Sequence, residues 1–338
     1  MTPEIHLKGW LERDGKVLAR AEVERMLSQE PELLSRCGGE FALAWDACRA
    51  RDRFGIMLSP EPAGTIVCNG QAVGAIDPTP PACDLEEAIV TAVRLRSDEG
   101  IVALSGGVDS SLVAALAGLE CVVVGVEESH DAARAAHVAR DLGLVLHTVT
   151  PTEAEIEEAL ARVVRVIPDP TNPVDAAIAT TLSFVAAWAG EHGYTRILAG
   201  QGADELFGGY ARYLESENLA ADLERDFAGL AHQGVRDQRV AALHGAYFSL
   251  PYMDVRVVRA IRGVPAAEKV RDGVRKYPLR EIAARHIPAD TAWYEKKAMQ
   301  YGSGIWRVIQ RLTRKNGYKK SVQGYLNHIS RAEYGIGD

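Results

Sequence analysis

The chain has 338 residues, 47% hydrophobic and 25% charged, with a formal net charge of -8 and a pI near 5.7. At roughly 100–200 residues per domain, this length predicts two domains and a sizeable core. The acidic balance counts against nucleic acid as a partner, because such surfaces concentrate basic residues. Five cysteines without a Cys-x-x-Cys spacing predict no zinc or iron–sulfur site and no disulfide framework, as in a reducing cytosol. Met1 to His6 lacks the basic and apolar regions of a signal peptide. The most apolar stretch, Ala176 to Gly190, is shorter than the roughly 20 residues of a membrane span. The expectation is a soluble, cytoplasmic protein with no membrane partner.

Residues 1 to about 80 alternate short apolar runs with turn signals, at 38–46, 56–58 and 65–68, and predict a small sheet-rich domain. A run of helix formers from Ala21 to Leu27 interrupts it. Asp77-Pro78-Thr79-Pro80-Pro81 is too proline-rich for helix or central strand and reads as a linker. From Asp84 onward helices and strands alternate. Strands are expected at 101–104, 121–126, 144–149 and 196–199, with helices from Asp84, from Asp109 to Leu116, from Asp131 to Leu142 and from Thr152 to about Val166. Such alternation predicts an α/β fold, a parallel sheet with helices on both faces and ligands at the carboxyl ends of its strands. Past Tyr210 the chain reads mostly helical, with breaks at Pro251, Pro278 and Pro288. Basic residues at 311, 314, 315, 319 and 320 read as a solvated helix face.

Two loops carry the chemistry. The first, Ser105-Gly106-Gly107-Val108-Asp109-Ser110, follows a buried strand and opens a helix. Glycines allow close approach of backbone to phosphate, and the free N–H groups and dipole of the first helical turn favour an anion there. The Walker spacing Gly-x4-Gly-Lys is missing; the loop instead resembles the pyrophosphate loop of the ATP pyrophosphatase superfamily. The second loop, Gly200-Gln201-Gly202-Ala203-Asp204-Glu205-Leu206-Phe207-Gly208-Gly209-Tyr210, resembles a signature of the asparagine synthetase and β-lactam synthetase family. Further matches are Leu250 to Asp254, Lys276 to Glu281, Ile287 to Asp290, Lys296, and Gly302-Ser303-Gly304. The resemblance covers roughly residues 84 to 310. It implies an adenine nucleotide alpha hydrolase-like synthetase domain over 84–338, with a helical C-terminal part, and a degenerate glutaminase-like domain over 1–80.

It also implies ATP and Mg2+. Asp109 and Asp204 would hold the metal, and Ser105, Gly106, Gly107 and Ser110 would line the pyrophosphate. Val124, Asp131 and Gly200 would hold the adenosine part, while Lys276, Lys296 and Gln201 would be catalytic, with Lys297 a neighbouring competitor for the role of Lys296. A lone aspartate more often caps a helix, and a lone lysine is more often solvated; the paired loops carry the functional reading. Two departures withdraw the familiar product. The family's N-terminal catalytic cysteine is replaced by Met1-Thr2-Pro3, with Thr2 an improbable substitute because proline follows it. Gln201 stands where asparagine synthetases have glutamate and β-lactam synthetases tyrosine; it can orient a substrate but cannot act as a general base. Gln238 falls where that tyrosine's glutamate partner aligns. The expected activity is an AMP-forming carbon–nitrogen ligase that joins a small carboxylate to ammonia or an amine without glutaminase chemistry. A tRNA-base-adenylating enzyme and an inactive nucleotide-binding regulator are the alternatives, and assembly into a homo-oligomer stays open.

Overall fold

The computed structural model describes residues 4–295, 299–319 and 321–331. From the N-terminus, β1 (Ile5–Arg13) turns into β2 (Lys16–Val17), and α1 (Arg20–Gln29) follows. β3 (Gly38–Trp45), β4 (Cys48–Arg51), β5 (Thr65–Cys68) and β6 (Gln71–Ala75) complete an antiparallel sheet ordered β2-β1-β3-β4-β5-β6. Val23, Met26 and Leu27 of α1 recur at helical spacing and pack with Leu11, Phe41, Leu43 and Ile66 in one core.

The run Ile56-Met57-Leu58, read above as a strand, is a loop. The buried Asp52 carboxylate takes its backbone, accepting from the N–H groups of Phe54, Ile56 and Met57 at 3.2, 2.9 and 2.9 Å. Burial pushes this carboxyl from 3.8 up to about 6. Between those values the folded chain keeps a proton that the unfolded chain has lost, so stability falls as pH rises through about 4 to 6 and is level above. The cost reaches about 3 kcal/mol. Asp52→Asn should flatten that limb in urea midpoints measured from pH 4 to 7; parallel curves would contradict it.

The expectation of no disulfide is corrected. Cys48 and Cys68 are register partners on β4 and β5, with Cα atoms 4.0 Å apart, and their sulfurs are bonded. The spacing of 20 residues carries no motif, because strand pairing and not sequence proximity brings the thiols together. Cys37, Cys83 and Cys121 remain free.

After the proline-rich stretch come α2 (Leu85–Arg94), β7 (Ile101–Ala103), α3 (Val108–Ala117), β8 (Cys121–Val124), α4 (His130–Leu142), β9 (Leu146–Val149), α5 (Glu153–Val163), α6 (Pro173–Glu191) and β10 (Arg196–Leu198). Asp84 caps α2 by accepting from Glu87 N–H, and Thr152 with Glu155 forms a reciprocal capping box on α5. All four expected strands form, and a fifth was not foreseen. The second sheet is ordered β11-β10-β7-β8-β9, β11 being Tyr247–Ser249, with β10, β7, β8 and β9 paired in parallel. Every residue of β8 is buried, as an apolar strand covered on both faces requires. By length and composition α6, at 19 residues, could cross a membrane. Its alanine, threonine and leucine face is instead buried in protein, where it packs on α5, β8, β9 and β10.

Between and after these strands lie α7 (Ala203–Phe207), α8 (Leu219–Ala242), α9 (Val255–Arg262), α10 (Ala266–Lys269), α11 (Tyr277–Ala283), α12 (Ala289–Ala292), α13 (Met299–Gly302), α14 (Ile305–Lys315) and α15 (Val322–Arg331). Two prolines expected as breaks mark helix starts: Pro278 lies in the first turn of α11 and Pro288 is the N-cap of α12, where a missing N–H costs nothing. On the basic face of α14, Arg311 and Lys315 both reach Glu153, at 2.5 and 3.6 Å; Lys320 lies outside the described residues. The chain divides into two compact units drawn from separate stretches. One gathers residues 1–98, 200–234 and 249–278; the other gathers 99–199, 235–248 and 279–338.

Candidate active site

In the second unit, β7 ends at Ala103 and the loop from Ser105 turns into α3. Gly106 has φ +72, and a side chain there would put Cβ 2.6 Å from Arg134 Cγ and 2.9 Å from the Ala135 nitrogen. Only glycine fits that backbone in that gap. The Ser110 hydroxyl closes the loop on itself: it accepts from Ser105 N–H at 3.1 Å and lies 3.0 Å from Ser105 Oγ. Gly107 is the N-cap of α3 and offers no capping side chain, so the first-turn N–H groups are not consumed by one. Asp109 sits in that first turn.

Beside this loop β8 ends at the buried Val124. Gly125 follows, where a Cβ would meet Ser129 Oγ at 1.9 Å. Ser129 caps α4 by accepting from Ala132 N–H, and Asp131 in the first turn of α4 is 2% exposed. The Asp131 carboxylate lies against Gly302, whose Cβ would fall 2.0 Å from Oδ1. Val126 N–H donates to Ser303 O at 2.9 Å, and Gly304, at φ +79, packs on the Val126 side chain. The Gly302-Ser303-Gly304 match is thus the small-residue lining of the β8 strand end. Ser105, Gly106, Gly107, Asp109 and Ser110 are brought together with Val124 and Asp131 through α4.

The loop at Asp169 to Asp175 is held to α8: Asp175 accepts from Arg236, which also donates to Asp237 at 2.7 Å. Gln238 is no free partner for a substrate or a tyrosine. Its amide clips both ends of Phe248, donating to the carbonyl at 2.6 Å and accepting from the N–H at 3.0 Å.

In the first unit, the Gly200 to Tyr210 loop holds two carboxylates with opposite fates. Asp204 lies 2.8 Å from Lys276 Nζ and keeps 43% of its side chain exposed. Glu205 turns inward, accepting from Tyr210 OH at 2.5 Å and from Gln233 Nε2 at 3.1 Å, and burial raises its pKa. The Gly-Gly-Tyr end of the loop follows from this: a Cβ on Gly209 would meet Asp204 Oδ1 at 1.8 Å and Lys276 Cε at 2.1 Å. The Asp204–Lys276 pair crosses the backbone at Gly209, where any side chain would collide with it. Lys276 holds it from a left-handed backbone, φ +58, a conformation disfavoured outside glycine and asparagine and found where surrounding structure enforces it. Arg275 donates to Gly209 O at 2.8 Å.

Gln201 is half-buried, and its Nε2 has no hydrogen-bond partner among the described residues. Tyr252 stacks edge-on against Phe207, with centroids 5.7 Å apart, and Met253 packs under Gly202, which explains the Leu250 to Asp254 match as a floor for this loop. Gly200, Gln201, Asp204 and Lys276 are therefore held in one unit. Lys296, Lys297 and Thr2 lie outside the described residues. Sequence reading missed the Glu205–Tyr210–Gln233 cluster and the crossing at Gly209; the adjacent glycines were the available signal.

A family model for asparagine synthase matches residues 84–232 and 223–328. A Methanocaldococcus jannaschii protein provisionally named asparagine synthetase 1 (glutamine-hydrolysing) is 32% identical over 291 residues, covering 73% of this chain and 53% of that protein. The carboxyethyl-arginine β-lactam synthase of Streptomyces clavuligerus is 30% identical over 261 residues, 75% of this chain and 48% of that one. Asparagine synthetase B of Escherichia coli is 26% identical over 249 residues, 65% and 45% of the two chains. This chain spans about half the length of the curated relatives it matches. With a synthetase signature on each loop and the family match running from α2 into α15, the chain belongs to the asparagine synthase family.

Proposed function

We propose that the protein is an ATP-dependent, AMP-forming carbon–nitrogen ligase. The observation that carries this reading is the start of α3: a glycine N-cap without a capping side chain, entered from a loop that Ser110 closes on Ser105. That arrangement offers backbone and hydroxyl donors to a polyphosphate. A substrate carboxylate oxygen attacks the α-phosphorus of ATP; the bond to the β-phosphate oxygen breaks and pyrophosphate leaves. The amine nitrogen, or ammonia, then attacks the acyl carbon, the acyl–oxygen bond breaks, AMP leaves and the nitrogen gives up a proton.

Ser105, Gly106, Gly107 and Ser110 bind the leaving pyrophosphate. Lys276 and Lys296 supply positive charge where it develops. Asp109 and Asp204 are the carboxylates assigned to Mg2+. Hard oxygen donors fit that ion, and Asp204 retains exposed carboxylate surface beside Lys276. Mg2+, when bound, neutralises polyphosphate charge. Val124, Asp131 and Gly200 are assigned to the adenosine part. The buried donor of Gln201 is supported as a group that waits for an acceptor on the substrate.

No glutaminase chemistry is assigned to the antiparallel sheet. Cys37 is fully buried with its thiol pushed up to about 12, the reverse of an activated nucleophile, and Cys48 and Cys68 are bonded to each other. ATP–pyrophosphate exchange across a panel of small carboxylic acids tests the reading. Exchange that depends on one class of acid is expected; no exchange with any acid, in a protein that binds ATP, contradicts it. With the preferred acid, Gln201→Glu should lower kcat/KM about tenfold or more, because it replaces a donor by a charged acceptor. An unchanged value would remove Gln201 from the site.

A further inference from the structure

Helix α4 does more than carry Asp131. The stem of Arg134 lies over Gly106, so the loop assigned to pyrophosphate rests on this side chain. Its guanidinium continues to the stretch just before Lys296 in sequence: it stacks over the Tyr294 ring at 4.3 Å and donates to Thr291 Oγ1 at 3.0 Å and to Asp290 O at 3.2 Å. One turn earlier, His130 Nε2 meets Tyr294 OH at 2.7 Å; three residues later, His137 Nε2 lies 3.3 Å from the Asp290 carboxylate. Positions 130, 134 and 137 share one helix face, and all three grip residues 290–294. From the other side Arg280 donates to the carbonyls of Ala292 and Tyr294, at 2.7 and 3.0 Å.

We propose that Arg134 is a positioning residue, which fixes the 290–294 stretch against the Gly106 loop. The proposal rests on the ligase reading for its consequence and on these contacts for its mechanics. Arginine suits the task because its planar group stacks on the tyrosine while its N–H groups reach the oxygens beside it; lysine keeps the charge and loses the fork.

The test uses the full chain with Arg134→Met, which keeps an apolar stem over Gly106 and removes the guanidinium, and Arg134→Lys. Hydrogen exchange of amides 289–295 should rise by about tenfold or more in Arg134→Met, with amides 101–112 unchanged. In ATP–pyrophosphate exchange kcat should fall about tenfold or more while KM for ATP stays within about twofold, and Arg134→Lys should recover part of the loss. Unchanged protection at 289–295 overturns the proposal, as does an unchanged kcat in a protein whose wild type is active. If the wild type shows no exchange with any acid, the ligase reading fails on that result alone, and hydrogen exchange still decides whether Arg134 makes the link.

Discussion

Asp109→Asn is expected to lower the rate of ATP–pyrophosphate exchange by at least about a hundredfold. Asparagine keeps the shape of the side chain and removes the charge. If Asp109 served only as an acidic residue in the first turn of α3, the change would cost about 0.3–1 kcal/mol of stability through the helix dipole, and activity would persist. If it also holds Mg2+ against polyphosphate, the same small cost in stability comes with collapse of the reaction. Urea unfolding and exchange rates on the same preparation separate the two. Asp204→Asn should behave alike for catalysis, with a second effect: the 2.8 Å ion pair between Lys276 and that carboxylate is lost. A variant at Asp109 that keeps more than a tenth of the exchange rate would remove the carboxylate from the metal assignment.

The largest effect on stability is expected at Glu40. This carboxylate is fully buried and accepts from Arg96 Nε at 2.8 Å, Leu250 N–H at 2.8 Å, Ser249 Oγ at 2.5 Å and Trp10 Nε1 at 3.3 Å. Arg96, 1% exposed, also donates to Asp254 at 3.0 Å and stacks over Trp10 at 5.0 Å. Asp254 in turn pairs with Arg256, which reaches Glu12 at 2.9 Å. Replacing such a network whole by apolar groups can be neutral. Removing one member is not, because a buried charge is left short of partners. Glu40→Ala should therefore cost about 3–5 kcal/mol in urea unfolding of the full chain. A loss below about 1 kcal/mol would mean that water reaches Arg96 once the carboxylate is gone. The network joins β1 and β3 of the antiparallel sheet to α2 and α9 within one unit, and so gives that sheet a structural task.

Much of the parallel sheet was legible because burial on both faces leaves unbroken apolar runs such as Cys121 to Val124, and because Asp84 and Thr152 mark helix starts by local chemistry. β11 was not: three residues after a long helix carry too little pattern, and it is Gln238, from α8, that clips its backbone. The Cys48–Cys68 bond and the Asp52 loop escaped notice for a related reason, since each depends on strand pairing or on burial that no spacing reveals. Of the candidate site, both loops were readable through their glycines and carboxylates. That Asp204 faces Lys276 while its neighbour Glu205 faces Tyr210 could not be read from two adjacent acids. Arg134 lies on a helix among alanines, and only the fold carries it to Gly106 and Tyr294.

The proposed route begins with attack of a substrate carboxylate on the α-phosphate of ATP. The most direct measurement is a single turnover with the exchange-competent acid labelled with oxygen-18 in its carboxylate and with the amine supplied. One labelled oxygen should appear in AMP, in an amount equal to the amide formed. Unlabelled AMP, or label carried into inorganic phosphate beside ADP, would contradict an acyl-adenylate route.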